Sequence, residues 1–280
     1  MPTIVTTKEA FFGMAEVSGN SEPMPVLFVG HGNPMNAIAD NEFARTWREV
    51  GATLPRPRAV LCVSAHWETR GTFVTAMDRP PTIHDFGGFP TALYEVQYPA
   101  PGSPAVAEQT VQAVKSIKVG LDMEWGLDHG CWSVLSHLFP EADVPILQLS
   151  LDHTKPAEWH YKLAGELSAL RRRGVMVIGS GNIVHNLRMV DWEHPDQGYD
   201  WALKADALVT RHIIDGDHRP LLHVETLAAE MQRAVPTPEH YLPMLYALAL
   251  QEKDEPVHFF NRKVTMGSLS MTSFRIGRGF

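Results

Sequence analysis

The chain has 280 residues, of which 44% are hydrophobic and 20% charged, and a formal net charge of -8 at pH 7. That is enough apolar material for one large core. The longest basic cluster is Arg171, Arg172 and Arg173, so nucleic acid finds no basic face. No apolar run reaches transmembrane length, and the first 24 residues contain acids and lack the apolar centre of a signal peptide. Two well-separated cysteines, Cys62 and Cys131, exclude a disulfide framework and suit a reducing cytoplasm.

In chain order, residues 1–24 read as a polar extension before the first strand. The pattern predicts strands near 25–30, 59–64, 73–77, 144–151 and 175–179, and helices near 41–49, 104–117, 131–139, 156–173, 199–213 and 238–251. This alternation predicts an α/β fold. One domain over residues 25–280 carries a mixed, mostly parallel central sheet with helices on both faces. Residues 78–102, rich in Pro, Gly and aromatics, form a long loop of the kind that carries function. The three arginines at 171–173 read as cations at a helix C-terminus, where the macrodipole favours them. Residues 213–224 read as a more polar loop, and GSLSMTSFRIG near the end alternates like a half-buried strand.

Three histidines stand just past apolar runs, next to small residues: His31 in PVLFVGHGNPM, His66 in AVLCVSAHW and His185 in VMVIGSGNIVHN. In an open α/β sheet, ligands gather beyond the carboxyl ends of the strands. Three imidazoles delivered to that edge point to a metal site. Gly30 and Gly32 open like a dinucleotide fingerprint, but position 35 is Met, so they read as a sharp backbone turn beside His31. Asp128 suits a helix start, and His129 beside it, in a loop, is placed for acid–base work. Gly179 and Gly181 indicate a close backbone approach, with no Lys-Ser/Thr pair to make a P-loop. Thr237 and Pro238 read as N-cap and first residue of a helix. Glu239 and His240 would then project about 100° apart, so either could ligate an ion, but not both the same one. H-E-x-x-H, paired C-x-x-C and G-x-S-x-G motifs are absent.

Taken together, HGNPM at 31–35, SAHW at 64–67, PTIHDFGGFP at 81–90, YPAPGSP at 98–104, DHG at 128–130, GSGNIVHNL at 179–187 and TPEHYLP at 237–243 resemble the class III extradiol ring-cleavage dioxygenases, most nearly the 4,5-DOPA extradiol dioxygenase subgroup. The resemblance runs in order from about residue 25 to the C-terminus. It implies one divalent metal per chain at the strand ends, held by His31, His66 and His240. It makes His185 a catalytic base, or a fourth ligand when zinc is bound, and His129 a second catalytic histidine. Many class III relatives use a carboxylate as third ligand, so Glu239 stays open beside His240. A 2-His-1-carboxylate set favours iron(II), whereas an all-imidazole set suits zinc as well.

The implied enzyme is cytoplasmic and uses Fe(2+) and O2 to open a catechol, L-DOPA or a related diol, to a muconic semialdehyde. Its partners are small molecules, with no nucleic acid and no membrane. Phe86, Phe89, Tyr94 and Trp67 would line an aromatic-ring pocket, and His84 and Asp85 would contact the substrate's polar tail or set the turn, the tail being favoured for His84. Two other readings use the same histidines: a zinc-dependent hydrolase that activates water, and a non-enzymatic binding protein with a vestigial site. Presence of all five histidines speaks against the second.

Overall fold

Four apolar runs, Val26–Gly30 (β1), Ala59–Ser64 (β2), Ile146–Gln148 (β3) and Val175–Gly181 (β4), are buried along their whole length. Unbroken apolar strands of this kind belong inside a parallel sheet covered on both faces. They pair in parallel, and Val257–Phe260 (β5) and Ser273–Ile276 (β6) add an antiparallel edge, giving the order β3-β2-β4-β1-β6-β5. The computed structural model describes residues 22–277. The expected extension therefore lies, up to residue 21, outside the described residues.

The helices of eight or more residues are Glu42–Thr53 (α1), Pro104–Ala113 (α2), His129–Leu138 (α3), Ala157–Gly165 (α4), Asp200–Ile214 (α5) and Leu242–Ala249 (α6). Three start on side-chain caps: Asn41, Ser103 and Asp128 accept the N–H groups of Ala44, Val106 and Cys131. Because side chains alternate along a strand, each central strand feeds two cores. Val26, Phe28 and Leu61 pack with Leu163 of α4 and Leu245 of α6. Leu27, Val29 and Val60 pack with Trp47 of α1 and Trp132 of α3. Among the described residues no helix is long and apolar enough to cross a membrane.

Several boundaries differ from expectation, each for a local reason. The stretch 156–173 is two helices, α4 and Ser168–Arg171. The chain breaks at Glu166, whose carboxylate is drawn to the N–H groups of Lys115 and Ser116. The strand expected over 144–151 is β3 followed by a separate short strand, Leu151–Asp152. The expected helix at 238–251 begins only at Leu242, because Pro243 lacks the N–H that an earlier start requires, and Thr237 is not its cap. Residues 213–224 are not a loop, since the end of α5 and the 3-10 helix Arg219–His223 occupy them. The final strand region is not half-buried. Ser270, Thr272 and Ser273 are fully enclosed, with the first two hydroxyls bonded to Asp206 and the third to the Met271 carbonyl. The strand Val119–Asp122, paired with Thr72–Thr75, was not legible in the pattern.

Arg171 does stand at a helix C-terminus, as the last residue of Ser168–Arg171, but it is not solvated. It is fully buried, grips Glu255 with two bonds of 2.6 and 2.9 Å and donates to the carbonyls of Met24 and Leu250. It thus ties the segment that enters β1 to the segment that leaves α6. Arg171→Met leaves Glu255 as a buried, uncompensated charge. It is expected to lower unfolding stability by about 3–5 kcal/mol in urea titration, and a loss below ~1 kcal/mol would contradict this role.

Candidate metal centre

The parallel register of β1, β4 and β2 places Gly30 beside Gly181 and Ser64 beside Ser180. The chain leaves all three strands at one edge. His31 is the first residue past β1, with its N–H held by the Gly181 carbonyl at 3.1 Å. The Ser180 carbonyl accepts the N–H of Ala65 at 3.0 Å, which sets the turn carrying His66. His185 follows four residues past β4 and is fixed by the Ala234 carbonyl at 2.8 Å.

His240 arrives by a different route. A Cβ on Gly179 would sit 2.2 Å from the Pro243 carbonyl oxygen, and one on Gly181 2.2 Å from that of His240. The two glycines therefore admit the 240–243 backbone against the end of β4, which is the close approach the sequence indicated. The N–H of Asn182 then donates to the His240 carbonyl at 2.8 Å.

His31, His66 and His240 offer ring nitrogens that all lie within 4.8 Å of one another. His31 Nε2 is 3.1 Å from His66 Nε2. His31 Nδ1 is 3.0 Å from Ser180 Oγ, whose own proton goes to the Gly130 carbonyl at 2.5 Å. The hydroxyl thus accepts from His31 Nδ1–H and leaves the Nε2 lone pair facing the cluster. His240 is arranged alike: Nδ1 is 3.0 Å from Glu239 Oε1, and the buried Nε2 has no hydrogen-bond partner. A buried lone pair without a donor is costly. Several of them converging on one point fit a cation, and imidazole donors suit zinc or iron(II).

The other expected residues surround this trio. The His185 ring stacks on that of His240 at 3.5 Å and 9°, and groups with Glu239 and His240 rather than with His31 and His66. His129 is not in a loop: it is the first residue of α3, capped by Asp128, and its ring lies 3.9 Å from that of His66. Phe86, Phe89, Leu187 and Trp192 line an open cavity of about 720 Å³ above the histidines. His84, Trp67 and Tyr94 do not line it. His84 Nε2 turns to the Val96 carbonyl at 3.0 Å, Trp67 stacks on Trp125 at 5.7 Å, and Tyr94 packs on the ring of Phe86.

Two carboxylates lie outside the ligand and catalytic sets that the sequence implied: Asp128, read as a helix start, and Asp85, read with His84 as a tail contact or a turn residue. Asp128 is fully buried. It accepts from Ser64 Oγ at 2.7 Å and Gln148 Nε2 at 2.6 Å, and Ser64 Oγ in turn accepts the His66 N–H at 3.2 Å. Asp85 Oδ1 accepts the His129 N–H at 2.8 Å, and its Oδ2 lies 3.0 Å from His129 Nδ1 and 3.5 Å from His66 Nδ1. The only available signal was their position next to histidines.

Burial dominates the electrostatics. It holds His31 and His240 well below the usual histidine range, helped by neighbouring imidazoles. It pushes His185 down to about 4 and, reinforced by His129, His66 to about 3. Burial raises Asp128, with Asp85 adding to it. Asp85 also feels burial, but the bond and charge of His129 bring it below the ordinary aspartate value.

Residues 23–276 match the family described as the catalytic LigB subunit of aromatic ring-opening dioxygenase. A protein of Escherichia coli K12 named 4,5-DOPA dioxygenase extradiol is 49% identical, with 92% of this chain and 96% of that one covered. One of the same name from Beta vulgaris is 35% identical over 89% of this chain and 95% of its own. The crystal structure of an uncharacterized protein from Escherichia coli K12 superposes with a TM-score of 0.79 at 44% identity, covering 91% of this chain and all of that one.

Two outcomes follow from this geometry. Ordinary histidines, with pKa near 6.5, would be about three-quarters protonated at pH 6, so zinc binding to three of them would release about two protons. Here the donors are already neutral, and calorimetry in buffers of different ionisation enthalpy is expected to find release near zero at pH 6. Gly181→Ala pushes a methyl group into the His240 carbonyl. It is expected to lower stability by about 1–3 kcal/mol and to weaken zinc binding. Unchanged zinc affinity would show that His240 does not depend on this contact.

Proposed function

Because the chain belongs to the LigB family of aromatic ring-opening dioxygenases, we propose that it is a metal-dependent extradiol dioxygenase that opens a catechol with O2 to a muconic semialdehyde, with L-DOPA or a related diol, cleaved at its 4,5 position, as substrate. The observation that carries this reading is the trio His31, His66 and His240 at the floor of a cavity whose lining includes both His185 and His129. These three residues would hold the metal. Iron(II) bound there supplies the redox chemistry that joins dioxygen to the ring.

The chain's own residues do the rest. Phe86, Phe89 and Leu187 offer apolar surface to a flat ring, so few polar groups compete for its orientation. Tyr94 and His84 support that surface from behind, through their packing on Phe86. His185 is kept neutral by burial at working pH, so it has a lone pair free to take a phenolic proton. Its stack on His240 holds it against the ligand set. His129 is the second group for proton transfer, presented by the start of α3. The names of the bacterial and plant relatives support DOPA as the first diol to try. A cytoplasmic location is supported by two buried free cysteines.

The test is oxygen uptake by anaerobically iron(II)-loaded protein with L-DOPA, with plain catechol and a zinc-loaded sample beside it. Uptake with a yellow product, absent with zinc, is expected. His185→Ala is expected to lower turnover about 10²–10⁴-fold with metal still bound. No uptake with either diol despite bound iron would overturn the assignment. Oxygen-independent amide hydrolysis by the zinc form would put the hydrolase reading in its place.

A further inference from the structure

One carboxylate touches both the ligand trio and the proton-transfer group. Asp85 lies in the aromatic loop at residues 78–102, next to Phe86 of the cavity wall. Its Oδ1 accepts the backbone N–H of His129 at 2.8 Å, which fixes the carboxylate against the first turn of α3. Its Oδ2 then falls 3.0 Å from His129 Nδ1 and 3.5 Å from His66 Nδ1. His129 Nδ1 is buried and has no aligned hydrogen-bond partner, so the carboxylate 3.0 Å away is its nearest acceptor and acts on it by charge. On the far side of the His66 ring, Nε2 faces His31 Nε2 at 3.1 Å.

An ionised carboxylate only accepts, and a neutral imidazole donates from one nitrogen and accepts at the other. A neutral ring in either place would turn its N–H rather than its lone pair toward that charge. We propose that Asp85 is a positioning residue that fixes His66 and His129 together in the Nδ1–H tautomer, so that both Nε2 lone pairs face the cavity: one toward the metal position, one toward the bound molecule. His31 and His240 have separate devices for the same end, Ser180 and Glu239. Asp85 differs in serving two rings with one oxygen, and in coupling them to the loop that carries Phe86. His129 would accordingly accept a proton from the bound molecule before returning one. A carboxylate behind a metal-ligating histidine has this effect on tautomer and orientation generally.

Only the turnover arm of the test rests on the dioxygenase reading. Nitrogen-15 NMR of histidine-labelled, zinc-loaded full chain, with His129→Gln and His66→Gln to identify the two signals, is expected to find Nδ1–H on both rings. Asp85→Asn presents an amide N–H2 to the same nitrogens while its oxygen keeps the backbone bond. It is expected to move His129 to Nε2–H, weaken zinc binding about 10–100-fold, and lower kcat of the iron form with KM little changed. Asp85→Glu, which keeps the charge, is expected to restore the Nδ1–H signals and part of the affinity.

Nε2–H on His129 in the unsubstituted protein would overturn the proposal without any variant, even if Asp85→Asn failed to fold. So would an Asp85→Asn protein that kept the original tautomers and zinc affinity. Nδ1–H tautomers, lost in Asp85→Asn, in a protein that takes up no oxygen would sink the dioxygenase reading and leave this one standing.

Discussion

At the end of β4, two successive carbonyls hold the chain on either side. Gly181 accepts the N–H of His31, and Ser180 accepts that of Ala65, one residue before His66. These bonds continue the parallel ladders of β1 and β2 one step beyond the strands. Two imidazoles from segments 35 residues apart are thereby delivered to one point, their Nε2 atoms 3.1 Å apart. The same two residues serve twice. The Ser180 hydroxyl orients the His31 ring, and the missing side chain of Gly181 admits the His240 backbone. A shift of the register by one residue would turn every strand side chain to the opposite core and disperse the site at once.

This arrangement concentrates five imidazoles where water is scarce. His31, His66, His185 and His240 are held neutral, because charging any one of them means losing hydration beside other imidazoles that would repel it. Neutral rings are ready ligands and bases, but their orientation must come from outside the cluster. It comes from a polar shell: Ser180 behind His31, Glu239 behind His240, Asp85 between His66 and His129, and Asp128 under the turn of His66 through Ser64. Carboxylates set beyond the rings orient them without competing for the central position.

The division between what the sequence carried and what it did not follows from range. Apolar runs that end at glycine or serine marked β1, β2 and β4, since such runs are stable only inside a covered sheet. Their order in an α/β fold put His31, His66 and His185 at a common edge. The cap function of Asp128 was legible too, because capping is a local event. The packing of His84, Trp67 and Tyr94 was not, because an aromatic side chain in a loop packs on whichever neighbour the tertiary structure supplies. Trp67 found Trp125, and His84 found Val96. Ser270 and Thr272, just before the last strand, read as an exposed face because their partner, Asp206, is about 65 residues away in the chain.

The sequence by itself therefore determined the central parallel strands, the edge where they end and the residue types delivered there, because period, caps and turn glycines act over a few residues. Only the tertiary structure decided which nitrogens converge. The placement of His240 depends on two glycines some 60 residues earlier, and the reach of Asp85 to His66 and His129 depends on how a long aromatic loop lies over α3. Both are contacts between segments distant in sequence, and their geometry exists only once the sheet has brought those segments together.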